Sequence, residues 1–233
     1  MKKITINSTI ELHKKLEEIR KKAMFALFRG QSNSEWTLIP KCGRDSFIPS
    51  KDRDAFKHWK RRANAFLEKE NFTDLELLTI AQHTGLATRL LDWTLNPLVA
   101  LFFAVEASLD KDGAIFVFND GRERKNEIKD IYKIKENYNI LQPTTPINRI
   151  ANQHGYFTLH KNPQIPLEDV LEDNVLEKII IPQEIKNEVL IMLHSYGVNN
   201  LSIYPDLDGL SRHLNWFYNS NIYWNTNNLE DFD

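Results

Sequence analysis

The chain has 233 residues, of which 42% are hydrophobic and 27% charged, with a formal net charge of −2. That balance excludes wholesale disorder and leaves no global basic field for nucleic acid or an anionic membrane. The single cysteine, Cys42, excludes an intramolecular disulfide and a multi-cysteine zinc site.

Taken in order, Ile4 and Ile6 alternate with polar neighbours in a short lead-in strand. Ser8 or Thr9 caps a helix to about Lys22, with Ile10, Leu12, Leu16 and Ile19 on one stripe. The N-terminus lacks the apolar region of a signal peptide, and no apolar run reaches the roughly 20 residues that span a bilayer, so a cytoplasmic protein with no membrane partner is expected. Phe25 to Arg29 is a buried strand broken by Gly30, and Trp36 to Pro40 a short extended piece. Cys42 lies in a charged loop and is a small packed residue rather than a nucleophile. Ala55 to Glu70 has helical spacing; its basic run Lys57, Lys60, Arg61, Arg62 is a solvated face or the rim of an anion site.

Thr73 or Asp74 starts a helix through Gln82 and His83 that Gly85 stops. Leu86 to Thr94 is a strand, and Asn96-Pro97 opens the apolar helix that follows. Gly113 to Phe118 is a strand, Arg122 to Tyr138 a charged peripheral stretch, and Asn148 to Leu159 a second polar–apolar cluster ending in a strand. Leu176 to Ile181 is a strand, Pro182 to Tyr196 a helix, Leu201 to Pro205 an extended piece, and Asp206 to Phe217 a last helix. Strands and helices mix without strict alternation, which predicts an α+β fold: a mixed or antiparallel central sheet flanked by helices.

The densest chemistry lies between Ile80 and Glu106, where Gln82, His83, Thr88, Arg89, Asp92 and Thr94 sit in an apolar frame. Charges buried beside Leu and Trp must be paired and hydrogen-bonded. The stretch is therefore an ion-pair network of Arg29, Arg89 and Asp92 that fixes strand register, or the floor of a site. His154 and His160 are surface or loop residues; His194 and His213 are satisfied core-edge histidines. Asp206 and Asp208 lack the further ligands of a calcium loop, so they cap a helix and no metal is expected.

Three patches resemble the FRG domain family: Phe28-Arg29-Gly30-Gln31-Ser32 with Trp36, Ala81 through Thr94 running on to Ala104, and Tyr204 to Leu210. The resemblance implies a helical lead-in at 1–24, an FRG domain at 25–218 and a tail at 219–233. More distantly, Phe28-Arg29-Gly30, and Asp92-Trp93-Thr94 followed by Ala100 to Ala104, resemble motifs of ADP-ribosyltransferases of the arginine–serine–glutamate type. Ser-Thr-Ser is replaced here by Asp-Trp-Thr, and Gln153 is the positional candidate for the third-motif glutamate, ahead of Glu184 and Glu188.

This distant resemblance implies an ADP-ribosyltransferase-like fold that takes NAD as substrate and passes ADP-ribose to a protein or nucleic acid, or hydrolyses NAD, as a toxin or defence effector. A non-catalytic nucleotide- or nucleic-acid-binding module is the alternative. The implied catalytic set is Arg29, His83, Asp92, Thr94 and Gln153. The implied NAD-binding set is Arg29, Gln31, Trp36, Gln82, Thr88, Arg89 and Phe102.

Overall fold

The computed structural model describes residues 1–48, 51–67, 71–142 and 155–220. Among these residues, eight strands form one mixed sheet: β1 (Lys2–Thr5), β2 (Leu27–Gln31), β3 (Leu90–Thr94), β4 (Gly113–Phe118), β5 (Arg124–Lys125), β6 (Tyr138–Leu141), β7 (Gly155–His160) and β8 (Leu176–Ile181). Their spatial order is β1-β8-β4-β2-β3-β7-β6-β5. The two edge strands pair parallel to their neighbours, β1 on β8 and β5 on β6; the other pairs are antiparallel. The fold is α+β.

Among the described residues, seven α-helices accompany it: α1 (Thr9–Lys22), α2 (Asp52–Ala63), α3 (Asp74–His83), α4 (Pro97–Val105), α5 (Lys186–Ser195), α6 (Asn200–Ile203) and α7 (Leu207–Asn219). Local sequence sets their starts. Ser8 accepts from the Glu11 N–H at 3.2 Å, Thr73 and Glu76 form a capping box, and Asn96 caps α4 ahead of Pro97. Asp206 accepts from the Gly209 N–H at 2.7 Å, the capping role predicted for it. No described helix is long and apolar enough to cross a membrane.

Sheet register divides the core. Side chains alternate between faces along a strand. On one face Phe28, Ile115, Val117, Ile179 and Ile181 pack under α1, α4 and α5. Further along the same face, Leu90, Phe157 and Leu159 pack under α2 and α3. The opposite face carries Leu27, Leu91, Trp93, Phe116, Phe118, Tyr138 and Tyr156. The helices thus cover one face in two groups, one on each side of the β2–β3 boundary.

Several boundaries differ from expectation. Phe25 is exposed and β2 runs from Leu27 through Gly30 to Gln31, with Gly30 opposite Ile115. Gly30 stays in the strand because its missing side chain admits α4: a Cβ there would lie 1.8 Å from the Ala100 carbonyl oxygen. Leu201 to Pro205 is not extended, since Asn199 and Ser202 form a capping box that starts α6. The stretch from Arg122 to Tyr138 is not peripheral: Ile131, Ile134 and Tyr138 are buried. β3 begins at Leu90 rather than Leu86, because the Thr88 hydroxyl accepts the Leu90 N–H at 3.2 Å. The basic helix spans Asp52–Ala63 rather than 55–70.

A side chain at position 30 meets helix backbone, which cannot move aside alone. Gly30→Ala is expected to cost about 3 kcal/mol or more of stability, read as a fall in the urea midpoint at unchanged slope.

Candidate functional site

The sheet is not closed across its centre. β2 and β4 pair along five residues and β3 and β7 along five, but β2 and β3 share a single partnered position, Phe28 opposite Thr94. Beyond that position the two strands part. Antiparallel alternation aims the polar backbone groups of Leu90 and Asp92 into this fork, because Leu91 and Trp93 use theirs on β7.

Side chains satisfy the opened edge of β3. The Arg29 Nη1 donates to the Asp92 carbonyl at 2.8 Å, and the Gln82 Nε2 donates to the Leu90 carbonyl at 3.3 Å. Register places Arg29 on the opposite face of the sheet from Asp92, yet Nη1 also lies 3.5 Å from the Asp92 Oδ2. The guanidinium therefore threads the fork. Gln82 Nε2 donates to the Asp92 Oδ1 at 3.0 Å, while the Thr88 hydroxyl donates to Gln82 Oε1. Arg29 Nε is buried and makes no hydrogen bond.

Where the two helix groups part above the fork lies a cavity of about 350 Å³, within the roughly 300–1,000 Å³ of small-ligand sites. β2 contributes Arg29 and Gly30, β3 Asp92 and Thr94, α3 Gln82 and His83, α4 Ala100 and Phe103, and β7 Gly155 to Phe157. The loop after β2 adds Lys41 and Arg44. Three cations thus face one carboxylate, that of Asp92, among the described lining residues. Burial pulls the Arg29 guanidinium below its ordinary pKa; Asp92 opposes that shift and Arg44 adds to it. Arg29 remains charged, as arginines in proteins do. An electropositive cleft with apolar walls suits a phosphate-bearing ligand.

The predicted site residues divide. Arg29, Gln82, His83, Asp92 and Thr94 line the cavity. The Thr94 hydroxyl accepts the Asn96 N–H at 3.0 Å, tying it to the start of α4. Gln153 and His154 lie outside the described residues. Five residues assigned to binding are placed elsewhere. Gln31 is buried with Nε2 3.4 Å from the Thr37 carbonyl, and Trp36 is exposed away from the cavity lining. Thr88 is buried behind Gln82. Phe102 is core; its neighbour Phe103 faces the cavity, being turned by one helical step. Arg89 pairs not with Asp92 but with the buried Asp52, through Nε at 2.7 Å and Nη2 at 3.0 Å.

Of the missed residues, Phe103 stands in the matched stretch from Ala100 to Ala104, whereas Lys41, Arg44 and Tyr156 carry no sequence signal beyond their chemistry. The histidines also differ from expectation. His160 is buried, its Nε2 3.0 Å from the Thr158 hydroxyl, which accepts from the Trp93 indole at 3.1 Å. The His194 and His213 rings stack 5.3 Å apart, and the Nδ1 of each is buried without a hydrogen bond. Cys42 is packed as expected, its thiol pushed up to about 12 chiefly by burial.

Fold and site together define an α+β domain with a cationic cavity at a fork in its sheet. Residues 25–113 match the family model of the FRG domain. The match takes in β2, α2, α3, β3 and α4 and ends at the first residue of β4, whereas cavity-lining β7 lies beyond it. Neither the comparison with curated proteins nor that with solved structures gave a match.

Two variants test the electrostatic frame behind the fork. Asp52→Ala strands the Arg89 guanidinium and is expected to cost about 3–5 kcal/mol in urea denaturation. His160 is held down to about 3 by burial, then by Arg29 and Arg89. Its folded value lies below its unfolded one, so the unfolded chain binds more protons between them. Stability is accordingly lost as pH falls from about 6.5 toward 3. His160→Gln should flatten that decline in the pH dependence of the urea midpoint.

Proposed function

We propose that the fork cavity binds NAD and that the domain acts as an ADP-ribosyltransferase-like enzyme, transferring ADP-ribose or hydrolysing NAD. The observation that carries this reading is the convergence of Arg29 and the Asp92–Thr94 strand end on one cation-rich cavity. Arg29, with its unused Nε donor, and Arg44 would take the pyrophosphate. Phe103 offers apolar surface to the rings.

In the reaction, the bond between ribose C1′ and the nicotinamide nitrogen breaks and nicotinamide leaves with the electron pair. The resulting oxocarbenium ion is of the kind stabilised by carboxylates in glycoside hydrolysis. Asp92, whose side chain is 60% exposed, would take that role. His83 would take the proton of the incoming hydroxyl or water. One observation favours a non-catalytic nucleotide-binding module instead: both Asp92 oxygens already have partners, Gln82 on Oδ1 and Arg29 near Oδ2.

NAD should raise the melting temperature, and incubation should release nicotinamide. Arg44→Ala, at an exposed cavity position, should weaken NAD binding about tenfold, the loss of one charge-assisted contact. Asp92→Asn should hold binding near wild type and slow release about a hundredfold. Stabilisation without release points to the binding module; no saturable NAD binding overturns both readings.

A further inference from the structure

Charge is distributed unevenly along this chain. Between residues 41 and 62 stand eight Lys and Arg against three Asp, within a protein of net charge −2. One of the three acids, Asp52, is buried against Arg89 and is not available to the surface. On α2, Arg53, Lys57 and Arg61 are all exposed and fall four residues apart, which sets them on one helical face at about 6 Å intervals. Like charges at that spacing repel one another; Arg53 also lies 5.5 Å from the Tyr132 ring centroid, and the Arg61 Nη2 lies 2.9 Å from the His58 Nδ1. Lys60 is excluded from the stripe; it pairs with Asp74 at 2.6 Å.

The end of α2 where the stripe begins lies on the cavity side. The start of α2 is pinned to Arg89, just beyond the end of α3, and Lys60 near its other end meets Asp74 at the start of α3. The two helices therefore run antiparallel, and the beginning of α2 lies by the end of α3 that carries Gln82 and His83. The chain entering α2 carries Lys41 and Arg44 on the cavity wall. Phe47 stands next to them, part-exposed, its ring 5.9 Å from the Lys41 Nζ. A row of cations leading to an aromatic ring and a cationic cleft is the arrangement that tracks a phosphate backbone and stacks a base.

We propose that the exposed face of α2 binds single-stranded nucleic acid and leads it to the cavity mouth, with Phe47 as the stacking platform. That this strand is the ADP-ribose acceptor rests on the function proposed above; the binding itself does not. The regular spacing along one helix and the adjoining aromatic favour a strand over a membrane surface, which would take a diffuse patch with inserting apolar side chains.

The test is fluorescence anisotropy of a labelled 20-nucleotide single-stranded RNA with the full chain, from low to physiological salt. Arg53→Gln/Lys57→Gln/Arg61→Gln removes the stripe without adding repulsion. It should weaken binding at least tenfold and reduce the log–log salt slope by about 2, the share of three phosphate contacts to a single strand. Its melting temperature should stay close to that of wild type. Phe47→Ala should weaken binding about tenfold while leaving that slope unchanged. Unaltered RNA affinity in the triple variant overturns the proposal, as does tighter binding of wild type to phosphatidylserine vesicles than to RNA. Stabilisation by NAD is measured on the same variant. RNA binding lost with NAD stabilisation kept supports the stripe; RNA binding unchanged with NAD stabilisation kept sinks the stripe and spares the cavity. A wild type that binds RNA through the stripe but is not stabilised by NAD sinks the cavity reading alone.

Discussion

The structure turns on one unclosed seam. β2 and β3 begin as neighbours at Phe28 and Thr94 and then separate, and the edge groups exposed by the separation need partners. The Arg29 guanidinium and the Gln82 amide supply them by reaching into the gap. A planar, permanently charged fork suits that place, since it can bond a strand carbonyl with one nitrogen and keep other donors in reserve. The gap is held open from above as well. Gly30 lets α4 rest directly on β2, while α3 rests on the far side over β3 and β7, so neither helix roofs the seam.

Electrostatics follow from that geometry. Arg29 and Arg44 stand near one another with only Asp92 opposing them in the described wall, so the cleft carries uncompensated positive charge. Arg89 could have added to it but is neutralised by Asp52 in the protein interior. His160, between Arg29 and Arg89 and removed from water, is kept neutral, which avoids a third like charge in the same neighbourhood. Net positive charge at a cleft in a protein of slightly negative overall charge is a local feature rather than a consequence of composition.

Much of this was legible in the amino-acid order. The caps at Ser8, Thr73, Asn96 and Asp206 follow local rules and start their helices as those rules require. Gln82, His83, Asp92 and Thr94 meet because a short helix, a tight connection and a strand return them to one place. The errors have physical causes. Arg89 lies in the bend just before β3, where strand alternation does not assign direction, and its guanidinium turns to Asp52 at the start of α2 rather than to Asp92. Phe102 and Phe103 differ by one helical step, and only the packing of α4 on β2 decides which one looks into the cleft. Gly30 has the look of a strand breaker until the approach of Ala100 is known. Lys41 and Arg44 come from a single 3-10 turn and its cap, too short for periodicity to assign direction.

The central claim is that the open seam is a site for an anionic nucleotide and not merely a packing defect plugged by an arginine. Amide chemical-shift mapping during titration with NAD addresses it most directly. The account predicts saturable shifts concentrated at Gly30, Leu90, Asp92 and Gly155, the residues around the fork. Saturable shifts confined to any other surface, or a spectrum that does not respond to NAD at all, would contradict it.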